Sequence, residues 1–295
     1  MHTDLHSLPE KLASTTGEER VALLLELAKI RSRSHHQRQT WTQEALALAK
    51  KFNLPKKIGE SYLRLGELAE EVGEYQKAIS YFQRAGDLFK TVPDYEGLAI
   101  SHNKTGIIYG REGQYSQAWD YFHQAVRIRK AHLHGKGLEY PYDNIGIVYA
   151  EQGDYAQALK FYLKSLSIIE KTGDPKKIAH SYILIGNIYT YQNKFEHGLE
   201  YHQKALAVYE QVGNRLGLSD CYINIGIAYQ GLGDLNRALE YHLKALAIDQ
   251  EMADMGRQTQ SLNSIGRLYE ALQNPEQALV YYHHTIVEPY GNIAR

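Results

Sequence analysis

The chain has 295 residues, with 33 Lys and Arg against 34 Asp and Glu, and a single cysteine, Cys221. A charge so nearly balanced gives no global field to draw nucleic acid or an anionic membrane, and one cysteine excludes an intrachain disulfide and a cysteine-based zinc cluster. The start, MHTDLHSLPEKLASTTGEER, lacks the apolar stretch of a signal peptide, and the most apolar run, 21–30, is broken by Glu26 and too short to span a bilayer, so a cytoplasmic protein with no membrane insertion is expected.

In chain order, residues 1–17 read as an N-terminal segment and a candidate cap. Residues 18–57 form a degenerate first row, with helical stretches at Arg20 to Arg31 and Arg38 to Lys51. Leu23, Leu24 and Leu27 would lie on its open face and need a cover, either Leu5, Leu8 and Leu12 or another subunit, which makes a homodimer through a terminal repeat one expectation. Six regular rows follow at 58–97, 98–137, 138–177, 178–217, 218–257 and 258–295, the last including the tail. They repeat without a gap every 40 residues, as the glycines Gly66, Gly106, Gly146, Gly186, Gly226 and Gly266 show. Three residues on stand Ala69 and then Tyr109, Tyr149, Tyr189, Tyr229 and Tyr269. Twelve residues after each glycine stand Ala78, Ala118, Ala158, Gly198, Ala238 and Ala278.

Within a row the apolar spacing is helical: Tyr142, Ile145 and Tyr149, then Ala158, Phe161, Tyr162, Ser165 and Leu166 follow steps of three and four. Between the two runs Gly153 is placed to end one helix and Asp154 to start the next, with Asn193 replacing that glycine in a later row. Each row is therefore a helix–turn–helix. A mid-helix glycine costs about 1 kcal/mol relative to alanine, and its recurrence predicts that Gly on the first helix and Ala on the second let the pair approach closely. Replacing Gly146 or Gly226 by Leu is expected to overpack that contact. The last helix is expected to stop near Val287.

Tyr142-x-x-Ile145-Gly146-x-x-Tyr149 followed by Ala158-x-x-x-Tyr162 resembles the tetratricopeptide signature, W-x2-L-G-x2-Y with A-x3-F after it. The resemblance covers about 58–287, with the weaker row before it, and implies an all-α, right-handed α-solenoid of about seven repeats. The period exceeds the usual ~34 residues. In this the rows resemble kinesin light chains, spindle-orientation adaptors with Leu-Gly-Asn repeats, and bacterial Rap-type regulators.

The resemblance further implies a concave groove lined by the first helix of each row, at positions three and two before the glycine and one, four and five after it. These positions supply the candidate peptide-binding residues Asn103, Lys104, Arg111, Asn144, Asn187, Tyr191, Asn224, Asn263 and Arg267. Asparagine amides spaced one repeat apart offer both donor and acceptor to the backbone of an extended peptide. Glu67, Glu70 and Glu71 precede Lys104 and Arg111, so the groove alternates in charge, and Lys104 and Arg111 are expected to choose acidic side chains.

No catalytic, cofactor or metal site is expected. Adjacent histidines such as His35-His36 and His283-His284 diverge by about 100° on a helix, and His202 and His242 occupy a second-helix position that is Phe122 or Tyr162 elsewhere, so packing explains them. There is no glycine-rich phosphate loop, no G-x-S-x-G elbow and no H-E-x-x-H. The tyrosines fall on repeat-core positions rather than forming a nucleic-acid stacking platform. The expected function is a scaffold that binds a protein or peptide segment and is not an enzyme. The alternative is a regulatory sensor controlling a kinase, cyclase or transcription factor, fused or in trans.

Overall fold

The computed structural model describes residues 12, 14–30 and 32–291, with side chains up to Thr285. Among the described residues there are fourteen α-helices and no strand. They are α1 Gly17–Leu27, α2 His35–Lys51, α3 Pro55–Glu71, α4 Tyr75–Thr91, α5 Tyr95–Arg111, α6 Tyr115–His132 and α7 Glu139–Glu151. After these come α8 Tyr155–Thr172, α9 Pro175–Tyr191, α10 Phe195–Val212, α11 Arg215–Gly231, α12 Leu235–Glu251, α13 Met255–Ala271 and α14 Pro275–Gly291. The chain divides within α7 into two compact units, 1–148 and 149–295.

The turn chemistry read from the sequence is what ends and starts the helices. Gly153 sits at φ 78°, and Asn193 takes the same left-handed turn at φ 58°. Asp154 then caps α8 by accepting from the backbone N–H of Gln157 at 3.1 Å. Asp94, Asp174, Asn214, Asp234 and Asp254 cap α5, α9, α11, α12 and α13 in the same way. Helix α14 runs to Gly291, past the stop expected near Val287 and through Pro289.

The recurring glycine has a more specific cause than close helix approach alone. A ring from the second helix of the same row packs directly against it. In the first unit a Cβ on Gly106 would stand 2.7 Å from Cε1 of Phe122 and 2.8 Å from its Cδ1. Phe82 covers Gly66 likewise. In the second unit His202 covers Gly186, its Cε1 only 2.6 Å from where a Cβ would stand, and His242 covers Gly226 at 2.8 Å. Both histidines are buried in the packing, as the row comparison implied. Beside three of these contacts, those at Gly106, Gly186 and Gly226, tyrosine from the first helix stacks on an aromatic ring of the second: Tyr109 on Tyr121 at 5.5 Å, Tyr189 on Tyr201 at 5.6 Å, and Tyr229 on Tyr241 at 5.5 Å between centroids. Offset stacks of this kind add about 0.5–1.5 kcal/mol each beyond the area they bury.

Of the three open positions of the degenerate first row, Leu24 and Leu27 are fully buried and Leu23 is half-buried. Leu24 packs with Val21, Leu25, Ala45 and Ala49, and Leu12 joins that cluster from the N-terminal side. Leu5 and Leu8 lie outside the described residues. In the second unit a buried ionic cluster locks α11, α12 and α13 together. Asp249, with no exposed surface, accepts from Ser219 Oγ at 2.6 Å, Ser261 Oγ at 2.8 Å and Arg257 Nε at 3.1 Å. Arg257 also donates to Asp220 at 2.7 Å. Every lone pair of a carboxylate placed this deep needs such a partner.

Candidate functional site

In the first unit the outward face of α3, α5 and α7 gathers the residues picked out as groove-lining. Asn103 on α5 and Asn144 on α7 lie one repeat apart and are hydrogen-bonded, Nδ2 of Asn144 donating to Oδ1 of Asn103 at 3.1 Å. That bond occupies one end of each amide and leaves the Asn103 Nδ2 donor and the Asn144 Oδ1 acceptor for other partners. An adjacent donor and acceptor match the alternation of a peptide backbone.

Next to the amide pair the charges form a chain. Lys104 Nζ lies 3.4 Å from Glu67 and 3.6 Å from Glu70, and Arg111 donates to Glu70 at 2.8 Å. Arg64 pairs with the other oxygen of Glu67. Arg38, which the repeat pattern does not single out, forms a two-pronged bond to Glu71 at 2.7 and 3.0 Å while donating Nε to the Ala28 carbonyl. These side chains, with Lys29 and Tyr75, border a cavity of ≈ 500 Å³. Arg64, Lys104 and Arg111 share two carboxylates, Glu67 and Glu70, so one positive charge is left over. Such a face retains an attraction for an added carboxylate, but a ligand must compete with the existing pairs. Adjacency of the two signs is legible in the sequence; the pairing that makes each acid a competitor is not.

In the second unit α9, α11 and α13 carry the remaining candidates. Asn187 and Asn224 are half-buried, and Asn263 and Arg267 are exposed. Tyr191 is 60% exposed, with its ring 6.1 Å from that of Tyr155, and Ile227 is 41% exposed. An open tyrosine and isoleucine beside two amides provide apolar contact for a ligand side chain and polar contact for its backbone.

Buried groups elsewhere are kept neutral. Burial pushes His202 and His242 down to about 4 and the Cys221 thiol up to about 12. Among the described residues no group of three or more His, Cys, Asp or Glu is placed to hold a metal ion, and no helix is long and apolar enough to cross a membrane.

Several solved structures share this architecture. The BtubC (BKLC) protein of P. vanneervenii superimposes with a TM-score of 0.62 at 19% identity, over 77% of this chain and 92% of that one. A signal transduction ATPase with numerous domains and a tetratricopeptide repeat sensor, from Pyrococcus horikoshii, gives 0.70 at 20% identity over 95% of this chain, which spans 43% of its length. The Rap conjugation gene regulator of the plasmid pLS20, in complex with the Phr* peptide, gives 0.68 at 14% identity over 98% of this chain and 77% of that one. At these identities the likeness is one of fold. No curated protein sequence matches the chain. The family model described as tetratricopeptide repeat matches residues 57–131, 139–211 and 178–251, more than half of the sequence, and with consecutive helices packed in pairs within each unit the chain belongs to the tetratricopeptide-repeat family and has its all-α solenoid fold.

Proposed function

We propose that this protein is a non-catalytic binding scaffold that holds an extended segment of a partner protein against the outward faces of its first helices. The observation that carries the reading is the Asn103–Asn144 amide pair, set across neighbouring repeats, whose mutual bond uses only one end of each amide. Around it the surplus of one cation over the acids Glu67 and Glu70 favours acidic side chains in the bound segment. In the second unit Asn187, Asn224, Asn263 and Arg267 offer polar contacts, and Tyr191 an apolar one. A structural relative held in complex with a peptide supports the same use of the fold. The sensor reading is supported by the tetratricopeptide repeat sensor of the archaeal ATPase, and it differs only in what the occupied scaffold controls.

The test is to capture partners from the protein's own cell extract, recover the segment protected from proteolysis, and titrate that segment. Replacing Lys104 and Arg111 together by Gln should weaken an acidic segment by about tenfold or more, an effect that shrinks as salt is raised. A captured segment that binds the double variant with full affinity at low salt overturns the assignment of this face.

A further inference from the structure

The six regular rows are so alike that concerted departures from them stand out, and three departures meet at one place in the first unit. Position 86 is glycine, where the residues one period apart are Leu46, Val126, Leu166, Leu206 and Leu246. Position 102 is histidine, where Tyr62, Tyr142, Tyr182, Tyr222 and Leu262 stand in the other regular rows. Position 105 is threonine, where the others are Leu65, Ile145, Ile185, Ile225 and Ile265. Each change makes the site smaller or more polar, and all three residues line a single cavity of ≈ 270 Å³ between α4 and α6, floored by α5. In other rows these positions carry larger apolar side chains: Leu166 and Leu246 are each 7% exposed, Leu46 and Leu206 half-buried, and Ile145, Ile185 and Ile225 no more than 1% exposed. Opening a leucine-sized hole in a packed core destabilises a protein, which gives the three coincident changes a reason to be sought outside packing.

The lining has a defined chemistry. On the floor, Ser101 Oγ donates to the Gly97 carbonyl and Thr105 Oγ1 to the Ser101 carbonyl, both at 2.9 Å. Their protons are thus committed, so the two hydroxyls enter the lining as acceptors rather than donors. Burial, helped by the charge of Lys90, pushes His102 down to about 4, so at neutral pH its ring offers one donor and one acceptor. At one end Gln83 Nε2 donates to the Tyr121 hydroxyl at 3.0 Å, bridging α4 to α6. At the rim Lys90 and Asp87 form an exposed pair at 3.2 Å, a cation and an anion side by side. A ligand that fits brings one charge of each sign to the rim and a hydrogen-bond donor to the floor. The space equals about nine waters at ~30 Å³ each, the bulk of a molecule of roughly ten non-hydrogen atoms.

We propose that this pocket binds a small polar α-amino acid, its carboxylate on Lys90, its ammonium on Asp87, and a side-chain amide or hydroxyl donating to Ser101, Thr105 and His102. The assignment is independent of the partner segment proposed for the first-helix faces, since none of these side chains belongs to that set.

The test is equilibrium dialysis of the full chain against glutamine, asparagine, serine and threonine singly, with leucine and glycerol as comparators. At least one of the four polar amino acids should bind about tenfold more tightly than either comparator. Gly86→Leu restores the residue that other rows carry, and its Cβ meets only Ser101 and Leu98, at 3.5 and 3.6 Å. This variant should lose binding while melting at or above the parent temperature. Lys90→Ala, at an exposed side chain, should weaken binding by about tenfold or more and decides the matter if Gly86→Leu fails to fold. Absence of binding by all four, equal binding of glycerol, or undiminished binding in folded Gly86→Leu or in Lys90→Ala overturns the proposal.

Discussion

Two alanine substitutions separate the packing role of the repeat glycine from its helix-weakening effect. Gly106 and Gly86 both lie inside helices of the first unit, so replacing either by Ala gains about 1 kcal/mol of helix propensity. Their surroundings differ. At Gly106 the new methyl would stand 2.7, 2.8 and 3.1 Å from three carbons of Phe122, a ring that is 1% exposed and has no room to move aside. At Gly86 the nearest atoms are 3.5 and 3.6 Å away, an ordinary contact. Overpacking costs about 1–3 kcal/mol. Gly86→Ala should therefore stabilise by about 1 kcal/mol, and Gly106→Ala should be neutral or destabilise by up to about 2 kcal/mol. Propensity cancels between the two, so their difference reads the packing contribution alone. Urea unfolding of both variants measures it, and Gly106→Ala combined with Phe122→Leu should recover most of the loss. Equal shifts in the same direction, or no recovery in the double variant, would refute the account of the ring resting on glycine.

The buried histidines predict acid sensitivity. Because His202 and His242 are pushed down to about 4, the unfolded state binds protons that the folded state refuses, and stability falls as pH drops from about 6.5 towards 4. The slope is at most about 1.4 kcal/mol per pH unit for each histidine, and urea midpoints at pH 7 and 4.5 should converge when both are replaced by Phe, the residue that Phe82 and Phe122 supply at the same place in other rows. Around Asp249, Arg257→Met should cost about 3–5 kcal/mol by stranding a buried carboxylate. Asp249→Tyr with Arg257→Gly, which copies the Tyr209 and Gly217 pair of the preceding row, should unfold at a higher urea concentration than Arg257→Met alone. Glu70→Gln removes a competitor for Lys104 and Arg111, and should tighten an acidic segment severalfold in a fluorescence titration; weaker binding would count against the surplus-cation argument.

The periodic part of this molecule is legible because a repeat displays each constraint many times. Helix pairs, turns at Gly153 and Asn193, and the packing role of His202 and His242 all follow from comparing rows. The contact made by the glycine is only half legible: spacing shows that a small residue is required, but not that a ring of the partner helix rests on it. The Lys104–Glu70 and Arg38–Glu71 pairs join residues of neighbouring rows, and their geometry depends on how those rows stack rather than on either row's pattern. The pocket at Gly86 escapes a reading by pattern because its signal is a set of exceptions. His102 and Thr105 look unremarkable singly, and acquire meaning only when the fold brings both beside the missing leucine.

The central claim is that asparagine amides on the first helices hold the backbone of a partner segment. It is tested most directly by titrating the captured, protease-protected segment against the wild type and Asn144→Ala/Asn224→Ala. Each lost amide that pairs a desolvated backbone group costs about 1–3 kcal/mol, so affinity should fall by at least about tenfold while the melting temperature drops by no more than about 5 °C, the share of the lost Asn144–Asn103 bond. Full affinity in the double variant would contradict the account and move the binding site to the junction turns or the second helices.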